Sequence, residues 1–496
     1  MERTRMVQAA AGRAKTRGKI QIGAADPSLT GAGGMLAVTE LAGKLGLIGA
    51  LDAGIGPVKQ RARGFTGGQV LAGMAAAQLA GEDFLVGLDR VRADQAGQQI
   101  TLVPGLATST ATGIARRFTA EHWRGAEAGL AKVTARMVAM LPAERAAELA
   151  EGPVTIDIDA TDVEVYGTRK RGVAYNYAGQ RAGRPHVASW AETEIPLAAD
   201  LLAGDQDPRS SAVDLLGRAL AALPQQVRGG ARAAGRKIAL RADAGYFAGD
   251  LARAAVKEDM AFAIGAKRIS SMWRALAGIA EDAWRDATGM DGAQVAVSPY
   301  KPAEWPEGTV LLIRRVKLDP EQVSADPRSR RRRTLHPDQR ALPFPELEQE
   351  PAIYAYSFIC TNMDVSSPAK AAAAEHWYRH RTSCENIFRD SKHGAALRHL
   401  PSGDEQVNTC WMHASLIAAA IAAWLHQLTG PIEGGDLLAG HGTRGGKAMI
   451  ATLRRTLIAI PARLVRHGGK LIMRLPPGPW LLPQILAAIR ALPAAP

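Results

Sequence analysis

The chain has 496 residues, 47% of them hydrophobic. That is enough for roughly three domains with packed cores and excludes disorder throughout. Its 61 Lys and Arg residues against 48 Asp and Glu residues give a net charge of +13, which makes polyanions candidate partners. Three cysteines exclude a disulfide framework, no apolar signal core follows the basic N-terminus, and the apolar run 415–425 is shorter than the ~20 residues that span a bilayer. We therefore expect a cytoplasmic protein.

The first part of the chain is predicted to be a tail followed by helices. Residues 1–30 are polar and basic, as expected of a flexible tail. Residues 31–150 form Ala- and Leu-rich segments broken by Gly and Pro, which predicts a helical region. Within it, Thr66 is placed to cap a helix over residues 69–80.

A second capping signal lies near the end of this region. The Ser/Thr run at residues 108–112 predicts the start of a short helix over residues 113–118 that carries Arg116 and Arg117. Such a helix would suit the recognition helix of a helix-turn-helix and make the two arginines DNA contacts. An ordinary capped surface helix has the same pattern.

The pattern changes at Pro153. Residues 154–159 alternate β-branched residues with carboxylates, which predicts a short strand. More strands and helices follow in alternation, with strands at 163–166, 238–243, 260–266 and 353–360 and helices at 211–223 and 247–257. This alternation predicts an α/β core with parallel strand pairs.

Residues 268–350 interrupt the alternation and are predicted to be an insertion. They contain three tryptophans, a strand-like segment at 309–316 and the arginine block at 328–333. Blocks of like charge are commonly solvated and can contact phosphates.

After the last core strand, the chain is predicted to be mainly helical. One long helix is expected over residues 368–393 and another over 405–428. A hairpin is expected over residues 463–474, turning at Gly468 and Gly469.

Three carboxylates are distinguished by their positions. Asp159 and Asp243 each close a predicted strand, and Glu385 lies in a predicted helix. Carboxylates at the carboxyl ends of strands face the crevice of an open α/β sheet. Their oxygens suit Mg²⁺ or Mn²⁺, and two such ions can drive an in-line displacement at phosphorus. Any single Asp of this kind is also a common turn or cap residue.

The helix around Glu385 carries a stripe of polar residues. Tyr378, Arg381, Glu385 and Lys392 fall within 60° of one another on a regular helix, at 100° per residue. One carboxylate, one phenol and two cations would make a surface for a metal and a phosphate. A charged, solvent-facing helix surface remains an equal alternative.

This spacing, Tyr378-x₂-Arg381-x₃-Glu385-x₆-Lys392, resembles the signature of cut-and-paste DDE transposases from bacterial insertion sequences. The segments TIDIDATDVEVYG, LRADAGYF and YRHRTSCENIFRDSKHG are most similar to insertion-sequence family 1380. The resemblance implies an α/β fold. It comprises a ribonuclease-H-like catalytic core interrupted by a mostly β insertion, a helical N-terminal DNA-binding region and a helical C-terminal region.

The same resemblance implies roles for individual residues. Asp159, Asp243 and Glu385 would be the catalytic ligands of two Mg²⁺ or Mn²⁺ ions. Tyr378, Arg381 and Lys392 would hold DNA phosphates.

One ambiguity lies within the segment IDIDATD. Asp159 fits the family pattern Asp-x-Thr, whereas Asp157 lies on the same strand face one step earlier. Asp162 and Glu164 are expected to be structural or solvent-facing.

The tryptophans of the insertion are candidates for a second role. Hairpin-forming relatives stack a flipped base on an aromatic residue of this region, at ~1–3 kcal/mol per base. Trp273, Trp284 and Trp305 are the candidates, and a buried core position is the alternative for each.

The resulting domain layout follows the resemblance. It has a tail, a DNA-binding region, a core in two parts around the insertion, and a C-terminal region, with bounds 1–30, 31–150, 151–267, 268–350, 351–400 and 401–496. The expected function is metal-dependent cleavage and strand transfer of double-stranded DNA by a homodimer. The alternatives are an inactive transposase-derived DNA-binding protein and another ribonuclease-H-like nuclease.

Overall fold

The computed structural model describes residues 20–494, except 62, 430, 433–434, 439–442, 445–446 and 479. Most of the predicted tail, residues 1–19, lies outside the described residues. The last two residues of the predicted tail, Leu29 and Thr30, are not free, because they pair with a strand near the C-terminus.

Helices dominate the first part, as predicted. Its elements are β1 (Leu29–Thr30), α1 (Met35–Leu45), α2 (Leu47–Ile55), α3 (Gly67–Ala80), α4 (Gly87–Ala93), α5 (Thr108–Ala115), α6 (Ala120–Ala139) and α7 (Ala143–Glu151). The predicted cap of α3 is confirmed. The Thr66 hydroxyl accepts from the Gln69 amide at 3.2 Å, and the Gln69 side chain accepts from the Thr66 amide at 2.9 Å.

Helix α5 differs from the prediction. It begins at Thr108 and ends at Ala115, so Arg116 and Arg117 follow the helix and do not lie within it. The Thr108 hydroxyl donates to the Leu85 carbonyl at 2.7 Å. The Thr108 amide donates to Asp89 Oδ1 at 3.2 Å, so the first residue of the helix is held by partners 19 and 23 positions away, which the local pattern does not contain. Both arginines are exposed.

The core consists of strands alternating with helices. Its elements are β2 (Thr155–Ala160), β3 (Val163–Glu164), β4 (Ala174–Tyr175), β5 (Arg181–Trp190), β6 (Ile195–Ala203), α8 (Arg209–Ala222), α9 (Gln225–Ala233), β7 (Ala239–Ala242), α10 (Gly249–Lys257) and β8 (Ala261–Ala266). Strands β5 and β6 form a hairpin, and β5 is antiparallel to β2. Strands β2, β7 and β8 are parallel, which confirms the predicted parallel pairs.

The next segment is not the mostly β insertion that was expected. It contains α11 (Ser270–Ala277), β9 (Arg285–Asp286), β10 (Ala293–Ser298), β11 (Val310–Leu318), α12 (Arg330–Arg333), α13 (Pro337–Ala341) and α14 (Phe344–Leu347), followed by β12 (Ile353–Thr361). Its strands do not form a separate sheet, because β11 pairs with β12 along its whole length and β12 pairs with β8. The result is one mixed sheet of 11 strands with the order β6-β5-β2-β7-β8-β12-β11-β10-β9, in which the short strands β3 and β4 also pair with β5.

The predicted single helix over residues 368–393 is two helices. They are α15 (Pro368–Arg379) and α16 (Ser383–Gly394), and α17 (Glu405–Thr429) follows. In a continuous helix the Trp377 carbonyl would accept from the Arg381 amide. Here it accepts from Arg241 Nη1 at 2.7 Å, and the Arg381 amide bonds to Tyr378 instead. A buried arginine from β7 therefore ends the helix.

Helices α8, α10 and α15 cover the two faces of the sheet. Apolar residues of α8 and α10 pack on one face against β2, β7 and β8. On the other face, Ala371, Ala374 and Tyr378 of α15 pack against Ala263 and Ile359. Helix α17 is the one helix of the described part long and apolar enough to cross a membrane, and 94% of its apolar window is buried inside the protein.

The last part mixes helices with short strands, whereas mainly helices were expected. Its elements are β13 (Pro431–Ile432), β14 (Gly435–Asp436), β15 (Thr443–Arg444), β16 (Lys447–Ala448), α18 (Ile450–Leu453), β17 (Ala462–His467), β18 (Lys470–Arg474) and α19 (Leu482–Ala491). The predicted hairpin is confirmed as β17–β18. Gly468 and Gly469 have φ of +57° and +75°, the positive values that a tight two-residue hairpin turn requires.

Candidate active site

The strand register places two of the predicted carboxylates side by side. Ile158 of β2 pairs with Ala242 of the parallel strand β7. Asp159 follows Ile158 and Asp243 follows Ala242. The backbones of the two aspartates are therefore one strand spacing, about 4.8 Å, apart. Both lie at the carboxyl edge of the parallel strands, where crevices form in α/β sheets.

The close packing around Asp243 depends on a glycine of β8. Asp243 Oδ1 accepts from the Gly245 amide at 2.7 Å and so caps a 3₁₀ turn, and Tyr378 Oη donates to the Ala242 carbonyl at 3.2 Å. A Cβ at Gly265 would lie 2.6 Å from Tyr378 Oη and 2.7 Å from the Ala244 nitrogen. Only a glycine lets β8, Tyr378 and the Asp243 turn approach this closely.

Asp159 is held between a cation and other carboxylates. Its Oδ2 lies 3.4 Å from Arg381 Nη1, and its Oδ1 accepts from the Ala160 amide at 2.8 Å. Burial raises the pKa of the Asp159 carboxyl to about 6, Arg381 opposes this, and the charges of Asp243 and Glu385 raise the pKa further. Asp243 and Glu385 are therefore close enough to Asp159 for their charges to raise its pKa.

Glu385 and Asp243 line the same cavity, which has a volume of about 380 Å³. Glu385 lies in the first turn of α16 and is exposed. Tyr378 and Arg381 line this cavity as well, and we refer to it as the carboxylate cavity. The break between α15 and α16 thus leaves both helix ends facing Asp243.

Asp157 has a different environment from Asp159. It is fully buried, and its two oxygens accept from Arg241 Nε at 2.7 Å and Arg241 Nη2 at 2.9 Å. The Ser383 hydroxyl donates to the same carboxylate. With its oxygens occupied in this way, Asp157 is a structural ion pair, which favours Asp159 as the reactive aspartate.

Asp162 and Glu164 also have hydrogen-bond partners other than the three predicted carboxylates. Asp162 Oδ1 accepts from Arg184 Nε at 2.7 Å, and its Oδ2 accepts from Asn176 Nδ2 at 2.8 Å. Glu164 is exposed, and its side chain accepts from Tyr166 Oη at 3.2 Å.

Lys392 lies against the loop that follows β2. Its Nζ donates to Thr161 Oγ1 at 2.7 Å and to the Asp162 carbonyl at 2.9 Å. Burial lowers the pKa of this half-buried ammonium group. Lys392 therefore contacts the chain just after Asp159, on a loop leading out of the site.

The three tryptophans of the insertion segment are buried and their rings are covered. Trp273 makes edge contacts with the rings of Tyr356 and Phe358, the Arg315 guanidinium covers Trp284, and Trp305 packs against two phenylalanines. No open ring face is left for a base, so this structure does not support the predicted stacking role.

Several arginines of the cavity were missed by the sequence patterns. Arg268, Arg314 and Arg379 line the carboxylate cavity together with Arg330, which lies in the arginine block. Only the block gave a local signal. The others form no motif of their own in the sequence, and only the tertiary structure brings them to the cavity.

The donor set suits a hard divalent cation, although no complete metal site is formed. Among the described residues, no three His, Cys, Asp or Glu side chains lie close enough together to hold a metal ion. Burial is the main cause of the raised Asp159 pKa, and the charges of Asp243 and Glu385 add to it; a divalent cation bound at these carboxylates would offset both effects. Carboxylate oxygens of this kind fit Mg²⁺ or Mn²⁺.

The sequence matches the family model for the transposase DDE domain, group 1, over residues 13–325 and 346–493. The match covers most of the chain, so the protein belongs to this transposase family. One similar solved structure is the piggyBac transposase synaptic complex with hairpin DNA, determined by cryo-electron microscopy. The alignment has a TM-score of 0.39 and 8% identity, and it covers 85% of this chain and 78% of that chain. No curated protein matches the sequence.

Proposed function

We propose that this transposase binds the ends of an insertion sequence of family 1380 and moves it by cut-and-paste transposition. The proposal is carried by the register that sets Asp159 beside Asp243, together with the cavity that Asp243 shares with Glu385. Cationic side chains adjoin these carboxylates, as binding to a phosphodiester backbone requires.

We further propose that the catalytic core is ribonuclease-H-like. Three antiparallel strands, β6-β5-β2, continue through β2 into the parallel strands β7 and β8. This order supports the proposal, as does the position of both aspartates at the ends of neighbouring parallel strands. The core would comprise residues 151–267 and 351–400, with the insertion at 268–350 extending the same sheet.

In the proposed reaction, Asp159, Asp243 and Glu385 would hold the metal ions, which supply charge stabilisation and an activated oxygen nucleophile. At the element end, a water oxygen attacks phosphorus and the bond to the 3′ oxygen breaks, leaving a 3′-hydroxyl. That hydroxyl then attacks a phosphodiester of the target DNA, and a target 3′ oxygen leaves. Arg381 and Lys392 would orient the phosphates through charge-assisted hydrogen bonds. Tyr378, which the sequence predicted as a third phosphate contact, already donates to the Ala242 carbonyl, so we propose that it positions the Asp243 turn instead.

We propose that recognition of the element ends resides in residues 31–150, with Arg116 and Arg117 as DNA contacts. Both are exposed, and Arg116 Nε has only a distant carboxylate partner, Asp404 Oδ2 at 4.0 Å. A homodimer would join the two element ends.

The test is cleavage of a DNA fragment bearing the inverted repeats that flank the gene, with Mg²⁺ or with a chelator. We expect metal-dependent cleavage by the wild type and none by Asp159→Asn, Asp243→Asn or Glu385→Gln, with end binding retained. Glu164→Gln is the matched control, since it removes an exposed carboxylate from the same segment. End binding without cleavage by the wild type would indicate an inactive DNA-binding descendant. Cutting of RNA or branched DNA without end preference would indicate another nuclease.

A further inference from the structure

The sheet order places arginines on one side of the candidate active site. Beyond β7, which ends one residue before Asp243, the order of the sheet continues β8-β12-β11. Arg268 follows β8, and Arg330 lies on α12 beside these strands, both lining the carboxylate cavity. Lys392 lies on the opposite side, against the loop after β2. The carboxylates are therefore flanked by cations on both sides.

Four arginines on the β8 side of the site carry charge that no carboxylate of the described part of the chain neutralises. Arg330, Arg333 and Arg340 are exposed, and none has an ion pair with a carboxylate in the described part of the chain. Arg268 Nε donates only to the Tyr356 carbonyl, at 3.1 Å. Its pKa is lowered, first by desolvation and then by the charges of Arg330, Arg333, Arg314 and Arg340.

Two neighbouring arginines differ from these four, because their side chains have partners inside the protein. Arg314 donates to the fully buried Glu375 carboxylate at 2.7 Å, which also accepts from Arg379 Nε at 3.2 Å, so Arg314 belongs to a buried ion-pair network. Arg332 is buried within the block and donates to the carbonyls of Arg340 and Leu342. Arg330 and Arg333 make no such contacts, so their exposure is not explained by packing.

We propose that Arg268, Arg330, Arg333 and Arg340 form a phosphate-binding surface, which holds the backbone of a DNA strand beside the cleavage site. This proposal rests on the function proposed above. Arg268 follows β8, the strand next to β7, and Arg330 lines the same cavity as Asp243 and Glu385. The surface would thus contact phosphates that adjoin the scissile bond, on the side away from Lys392.

Arg330→Ala combined with Arg333→Ala tests the surface in the full chain. The measurement is the affinity for a fluorescent random-sequence duplex at several salt concentrations, because phosphate contacts need no particular sequence. We expect weaker binding and a slope of log affinity against log salt that is shallower by about 1.8, or 0.9 for each lost phosphate contact.

The matched control is Arg228→Ala combined with Arg232→Ala. These exposed arginines of α9 lie at the amino edge of the parallel strands, and their removal changes the net charge equally. We expect the control to keep the wild-type slope. Thermal unfolding of both variants checks that the fold is intact. Equal slopes for the wild type and Arg330→Ala/Arg333→Ala, or equal losses in both double variants, would overturn the proposal.

The DNA could be either the donor flank or the target, and two further duplexes separate them. One duplex ends at the element terminus and the other continues into flanking DNA. If wild type and variant differ in affinity only for the duplex with flanking DNA, the surface binds the flank. If the variant has a lower affinity for both duplexes and strand transfer into a plasmid is also reduced, the surface binds target DNA. Metal-dependent cleavage by the wild type is measured in parallel, so a failure of the surface alone is distinguishable from a failure of the proposed function.

Discussion

Ser383, the first residue of α16, donates its hydroxyl hydrogen bond to the buried carboxylate of Asp157 on β2. Arg241 of β7 binds the same carboxylate and also the carbonyl of Trp377 near the end of α15. One buried ion pair therefore joins two strands to two helices. Through these contacts it sets where α15 ends and where α16, the helix that carries Glu385, begins.

We predict that Asp157→Asn destabilises the protein by about 3–5 kcal/mol, because it leaves the buried Arg241 charge without its partner. Asp159→Asn should cost much less, since Asp159 is already penalised by burial and by neighbouring carboxylates. The loss of stability in each variant is measured as its difference from the wild type in the free energy of unfolding by urea. Equal destabilisation by the two variants would show that Asp157 is not the structural member of the pair.

We predict that Gly265→Ala lowers the rate of DNA cleavage by about a hundredfold while DNA binding persists, because the new methyl group would displace Tyr378 and the Asp243 turn. Gly217→Ala on α8 is the control. A Cβ there meets nothing within 4 Å, so activity should be unchanged. Wild-type cleavage by the Gly265 variant would mean that this close approach does not position Asp243.

We predict that Lys392→Met reduces cleavage at least tenfold if the ammonium group holds a phosphate, since charge-assisted contacts of this kind contribute more than neutral ones. Thr161→Val is the comparison, because it removes the 2.7 Å contact to Lys392 without removing the charge. Cleavage assays at saturating DNA distinguish the two roles. If both variants lose the same activity, Lys392 serves only to hold the loop after β2.

A fourth prediction concerns the buried Glu127 of α6. Burial raises its pKa to about 7, although Arg218 Nη1 at 2.6 Å and the Ala199 amide at 2.9 Å oppose the shift. The folded state therefore holds the Glu127 proton more tightly than the unfolded state does. The contribution of this carboxyl to stability is present below pH 4.5 and is lost as pH rises through about 7.

The measurement is the difference in unfolding free energy between wild type and Glu127→Gln at several pH values. This difference should fall by at most about 3 kcal/mol between pH 4.5 and 7, and then stay level. Asp214→Asn removes an exposed partner of the same Arg218 and should show no such trend. A difference that is independent of pH would rule out the raised pKa.

Local patterns in the sequence were sufficient for much of the core. The strands ending at Asp159 and Asp243 were predicted within a residue or two, because alternation of apolar and polar residues and strand length are local properties. The cap at Thr66 and the glycine turn at Gly468 and Gly469 were predictable for the same reason. The motif around Glu385 indicates the transposase family by its residue types and spacing alone.

The tertiary structure decided what depended on distant partners. Only the contact of Arg241 with Trp377 shows that the helix breaks before Glu385, and only the pairing of Asp157 with Arg241 separates that aspartate from Asp159. The proposed arginine surface likewise combines Arg268, which follows β8, with residues of α12 and α13 up to 72 positions away in the chain. Burial and charge compensation depend on which side chains meet in space, and the local pattern of residues does not contain that information.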